Sequence, residues 1–221
     1  GRVGGRLLFN NSPEDSNIPG TILSYFINPC IMSLRFLYHL FIKCARFGRS
    51  KGFGIQSPTH YSFVRYVINE RYPYYAYNDL KDMFPEVSKI DRAHLELLFR
   101  LSNWRQPSIV TLLGCDTHIY REYIHRGCNK SLIHDSFQDR AISDYVIISA
   151  NVLDVCLDTL LLYISDNSIL VVEGINTIHA TLWNDITKCK RATACFDLYF
   201  LGIVSFSNSP YNKQYKLSLQ L

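Results

Sequence analysis

No C-x-x-C pair occurs anywhere in the 221 residues, and the seven cysteines (Cys30, Cys44, Cys115, Cys128, Cys156, Cys189 and Cys195) are odd in number and scattered singly. That spacing argues against a zinc framework or a regular disulfide scaffold. It suits reduced thiols in apolar surroundings, so a cytoplasmic location is expected. Charge is scarce too: 19% of residues are charged and the formal net charge is +4, without the clustered basic face of a nucleic-acid binder. The cations that do gather, Lys43, Arg46, Arg49 and Lys51, are expected to form a solvated helix end. Glycine is sparse where it would matter most, because the stretch that most resembles a ligand turn holds only one.

That stretch is Pro107 to Asp116. Ile109, Val110, Leu112 and Leu113 form a short continuous apolar run, the pattern of a strand covered on both faces. Gly114 is a turn signal, and Thr117 to Arg126 predicts a helix ending at Gly127. A strand, a tight turn and a helix together present helix N-terminal amides to a nucleotide-like ligand at the carboxyl edge of a sheet. An ordinary strand-to-helix connection is the other reading of the same residues, since nucleotide loops usually carry two or three glycines.

Residues 1–20, rich in Gly, Asn, Ser and Pro and without an initiator methionine, are expected to be a flexible lead-in, part of it foreign to the natural chain. Residues 21–104 form a helical and loop extension, and residues 105–221 the principal domain. Within the extension, Ile22 to Ile42 is strongly apolar, but Asn28-Pro29 breaks it and Arg35 and His39 interrupt its second half. It reads as an amphipathic helix lying on the domain; membrane-surface contact through residues 22–42 is the lesser reading. A short helix is expected at His60 to Asn69. The tyrosines of Tyr72 to Tyr77 read as a loop packed on the core or lining a ligand pocket, and Asp91 to Asn103 as a helix with Asp91 at its N-cap.

Farther on, Ser131 to His134, Tyr145 to Ala150 and Ser168 to Val172 read as strands, and Leu153 to Ile164 and Thr177 to Lys188 as helices. Ala194 to Leu198, Gly202 to Phe206 and Tyr215 to Leu219 complete a β-rich tail with a turn at Asn208-Ser209-Pro210. This alternation predicts an α/β fold, a mainly parallel sheet with an antiparallel C-terminal edge. Asp135 follows the second strand at about the spacing of a ribose-binding acid. Between Asp135 and Tyr145, however, there is too little chain for a helical crossover, so either a strand-helix unit is missing or Ser131 to His134 is no sheet strand.

From about Leu40 onward the chain resembles the class I S-adenosylmethionine-dependent methyltransferases, in particular a bacterial group of catechol O-methyltransferase type. The resemblance rests on Lys51-Gly52-Phe53-Gly54-Ile55-Gln56-Ser57-Pro58, on Tyr72-Pro73-Tyr74-Tyr75, and on Phe196-Asp197-Leu198-Tyr199-Phe200-Leu201-Gly202-Ile203-Val204. It implies a Rossmann-like methyltransferase fold, here lacking the family's third strand and the helix before it. S-adenosylmethionine is the implied cofactor, with Gly114, Cys115, Asp116, His118, Asp135 and Ser149 at its site. A small molecule is the implied substrate, near Tyr74, Tyr75 and Glu173, with Glu173 the one catalytic candidate.

Several positions depart from the family pattern. Leu112 and His118 replace an acid and a glycine of the cofactor loop; Ser149-Ala150-Asn151-Val152 replaces Asp-Gly-Asn-His; Glu173-Gly174 replaces an acidic pair that holds a divalent cation in metal-using members. With one carboxylate left, no metal is expected. The departures together predict weak or lost catalysis in a small-molecule O-methyltransferase lineage, with a non-catalytic ligand- or protein-binding module as the alternative.

Overall fold

The computed structural model describes residues 41–42, 44–48, 51–115, 117–138, 141–206 and 212–219. The lead-in, the apolar stretch up to residue 40, Asp116 and the turn at 208–210 lie outside them. Among the described residues seven strands build one sheet: β1 (Ile109–Leu113), β2 (Leu132–His134), β3 (Ser143–Ile148), β4 (Ile164–Glu173), β5 (Ala192–Asp197), β6 (Leu201–Phe206) and β7 (Lys213–Lys216). Their order is β2-β1-β3-β4-β6-β5-β7. All described pairings are parallel except those of β6, which runs antiparallel to β4 and β5. The antiparallel strand of the C-terminal half is therefore inserted between β4 and β5, and the outermost strand, β7, runs parallel to β5.

The helices are α1 (Pro58–Phe63), α2 (Tyr75–Met83), α3 (Lys89–Arg105), α4 (Thr117–Gly127), α5 (Leu157–Leu162) and α6 (Ala180–Lys188). They cover both faces of the sheet. Val110, Leu112, Tyr145, Ile147 and Val171 pack with Leu98 and Phe99 of α3 and Ile124 of α4 on one face. Val146, Ile148, Leu170 and Val172 pack with Leu160 of α5 and Leu182 and Ile186 of α6 on the other. Alternate residues of one strand thus serve opposite cores, so the central strands read as unbroken apolar runs. This is the Rossmann-like methyltransferase fold that the resemblance implied.

The short interval after β2 is resolved in favour of a missing unit. β2 is a sheet strand, pairing with β1 through Ile109–Leu132 and Thr111–His134, and it ends the sheet on that side. None of the described residues between β2 and β3, 135–138 and 141–142, is helical. Phe137 packs on the core of that face and stacks on Tyr163, with ring centroids 4.3 Å apart and planes 8° from parallel.

Several expectations about local structure are corrected. The N-cap of α3 is Ser88, not Asp91: Ser88 Oγ accepts from the Asp91 amide at 3.2 Å and donates to the Asp91 carboxylate at 2.7 Å, so the cap lies three residues before the expected one. α1 gives way after Phe63 to a π-helical turn, Val64–Ile68, whose Val67 and Ile68 carbonyls accept from the buried Arg100 guanidinium. Tyr75 opens α2 instead of belonging to a loop. Arg46 does not lie at a solvated helix end. It donates to the Asp197 carboxylate at 2.8 Å and to the Leu217 carbonyl at 2.9 Å, fastening helical residues 44–48 to the far end of the sheet. Among the described residues no helix is long and apolar enough to cross a membrane.

Candidate functional site

Register brings three strand ends level. Leu113 of β1 pairs with Ile148 of β3, which pairs with Val172 of β4, so Gly114, Ser149 and Glu173 leave the sheet side by side at its carboxyl edge. In open α/β sheets this edge is where ligands bind. Gly114 has φ +66 and Gly174 has φ +67, left-handed values that glycine adopts without strain. Both turns are covered by the segment that follows β3. A Cβ added at Gly114 would overlap a methyl group of Val152, whose own Cβ would lie 3.5 Å away. A Cβ at Gly174 would meet that of Ala150 at 3.4 Å.

Residues 149–152 are held there by a connected set of hydrogen bonds. The Ser149 amide donates to the Leu113 carbonyl at 2.9 Å, the Ala150 amide to Glu173 Oε2 at 3.3 Å, and the Val152 amide to the Ser149 carbonyl at 3.2 Å. Asn151 Nδ2 donates to the Gly114 carbonyl at 3.4 Å. His179, buried at the N-cap of α6, sets Nδ1 2.6 Å from the Glu173 carbonyl oxygen and Nε2 2.6 Å from that of Val152. Across the way, the Gly174 amide donates to the Phe200 carbonyl at 2.8 Å. The amides of Ser149, Ala150, Val152 and Gly174 at this edge are thus engaged within the chain.

Glu173 lies at the centre of the set. Its Oε1 accepts from the Tyr120 hydroxyl at 2.6 Å, its Oε2 from the Ala150 amide, and Ser149 also bonds to it. Burial pushes its pKa above the usual carboxylate range, and these donors pull part of the way back. Burial beside Glu173 also pushes the Tyr120 phenol well up. A carboxyl group so enclosed cross-links α4, β3 and β4.

The other sequence-predicted residues fall in different places. Cys115 is half-buried, its thiol 3.7 Å from the Leu113 carbonyl. Asp116 lies outside the described residues. His118 packs edge-on against Phe84 at 5.5 Å, so the side chain set against the turn is Val152. Asp135 accepts from Arg121 at 2.7 Å in an exposed ion pair, and the same arginine caps the Ile133 carbonyl of the edge strand. Tyr74 packs on Tyr77 and Phe99, while Tyr75 is 90% exposed; no described contact joins either to the row at the sheet edge. Tyr120 and His179 went unread. The spacing of Tyr120, Tyr123, Ile124 and Gly127 marks one inward face of α4 and could have pointed to the first; nothing local marks His179.

An apolar hollow of about 360 Å³ opens beside Gly114 and Val152, between Phe137 and the start of α5. Among the described residues no group of three or more His, Cys, Asp or Glu side chains gathers as a metal site.

No protein-family model and no curated protein matches the chain. Its architecture is similar to a methyltransferase from Geobacter sulfurreducens, at 10% identity and TM-score 0.47 over 62% of this chain and 92% of that one. It is also similar to an SAH-bound methyltransferase from Podospora anserina, at 10% identity and TM-score 0.47 over 71% of this chain and 97% of the other. A third, the O-methyltransferase TomG from Streptomyces achromogenes in complex with SAM, gives 14% identity and TM-score 0.34 over 52% and 70%.

Proposed function

We propose that this methyltransferase-fold chain, of small-molecule O-methyltransferase lineage, no longer transfers methyl groups from S-adenosylmethionine at a significant rate and serves as a non-catalytic binding module. The observation that carries this reading is the seating of Val152 against Gly114, where the chain itself takes up the space above the turn after β1. Methyl transfer depends mainly on holding donor and acceptor in line, so a protein without a seat for the donor forfeits the main source of acceleration. The engaged amides and the enclosed Glu173 support the same conclusion from the side of polar recognition.

The left-handed Gly114 turn and the helix after it favour a second reading, in which residues 149–152 swing aside to admit the cofactor. Calorimetric titration separates the two. The expected result is no binding of S-adenosylmethionine or S-adenosylhomocysteine at millimolar concentration, whereas a dissociation constant in the micromolar range would reject the non-catalytic reading.

A further inference from the structure

We infer that the hollow beside Gly114 is a binding site for a compact amphipathic cation, an aromatic or branched aliphatic amine. This rests on the reading of the turn as closed to the larger cofactor, and it names what the remaining space can hold. Leu113, Phe137, Val152, Val155 and Leu160 wall about 360 Å³, near the lower end of the range for small-molecule pockets. These walls reward an apolar body. Phe137 is the one aromatic wall, and the stack of Tyr163 on it keeps that ring from collapsing inward.

The polar part of the lining gives the site its sign. Asp154 is exposed at the mouth, lines the hollow, and has no ion-pair or hydrogen-bond partner among the described residues. Thr159 adds a hydroxyl and Cys156 a thiol, and among the described residues no cation belongs to the lining. An anionic or strongly polar ligand would therefore meet a carboxylate and hydrocarbon, whereas an ammonium group at Asp154 with its apolar body against Phe137 satisfies both. Because that carboxylate is exposed, charge contributes selectivity of only a few-fold.

Cys156 makes the proposal measurable in the intact chain, since its thiol is exposed and borders the hollow while Cys44 is exposed on the N-terminal helical segment. Phenethylamine should slow the alkylation of Cys156 by iodoacetamide at pH 7 and leave Cys44 unaffected, read peptide by peptide. At low salt, half-protection should need about three- to fivefold less phenethylamine than 2-phenylethanol, its neutral counterpart of the same size. Asp154→Asn, a surface change that spares the fold, should remove that difference and leave the alcohol's protection as it was. Absence of protection by both compounds, equal protection by both, or a preference that survives Asp154→Asn would each overturn the assignment. Protection of Cys156 by S-adenosylhomocysteine in a parallel arm would reject the underlying reading of the closed turn, separately from the amine result.

Discussion

Gly114→Ala should destabilise the fold by about 2–5 kcal/mol, and most of the excess over an ordinary glycine substitution should vanish when Val152 is shortened. Two costs combine at this position. An alanine at φ +66 costs about 1–2 kcal/mol by itself. Its methyl group must also displace Val152, which already occupies the space, and overpacking of this kind costs about 1–3 kcal/mol. In a Val152→Ala background the new Cβ meets the Cβ and the amide nitrogen of residue 152, each at an ordinary 3.5 Å, so the backbone cost alone should remain. Urea denaturation of the four proteins in this cycle should give a coupling of about 1 kcal/mol or more. Equal costs for Gly114→Ala in both backgrounds would mean that Val152 does not sit on the turn.

Glu173 carries the second large effect. Glu173→Ala removes the acceptor of Tyr120 and Ala150 and leaves a void between α4, β3 and β4, so it should cost about 3 kcal/mol or more. Glu173→Gln keeps an acceptor and the volume, and should fall within about 1 kcal/mol of the parent at pH 5. The pH dependence of that difference has a definite sign. Burial makes the folded chain hold the Glu173 proton more tightly than the unfolded chain does. Its contribution is thus complete below the ordinary carboxyl range and is lost as pH rises through the elevated folded value. The stability of Glu173→Gln relative to the parent should accordingly increase from pH 5 to pH 8. A relative stability that instead declines over that range would show that the carboxylate form is favoured by folding, and Glu173 would not be the enclosed group described above.

Much of the scaffold was legible because its signals are local. The apolar runs of β1 and β3, the glycine turn and α4 follow from periodicity and punctuation, while the short interval after Asp135 left two readings that only the pairing of β2 with β1 separates. Other elements were not separable this way. Leu153 to Ile164 reads as one helix because a continuous apolar run does not distinguish helix from strand; α5 covers only Leu157–Leu162, and β4 already begins at Ile164. Nor does a single strand's sequence state its neighbours, so the placement of β6 between β4 and β5 emerges only from pairing.

At the site, Gly114, Ser149 and Glu173 were anticipated together, and register explains why they meet. The role of Val152 was hidden: in the sequence it appears only as a lost histidine, while its contact with Gly114 depends on β1 and β3 ending level. Tyr74 packs on Phe99 of α3 while Tyr75 is exposed, a difference that the run of tyrosines does not announce.

The most direct test of the central claim is a nuclear Overhauser measurement between the Val152 methyl protons and the Gly114 α protons, with and without millimolar S-adenosylhomocysteine. A strong cross-peak that persists unchanged when the nucleoside is added is the predicted result. Its absence in the free protein, or its disappearance on addition with shifts at Gly114 and Ser149, would contradict a turn filled by the chain's own side chain.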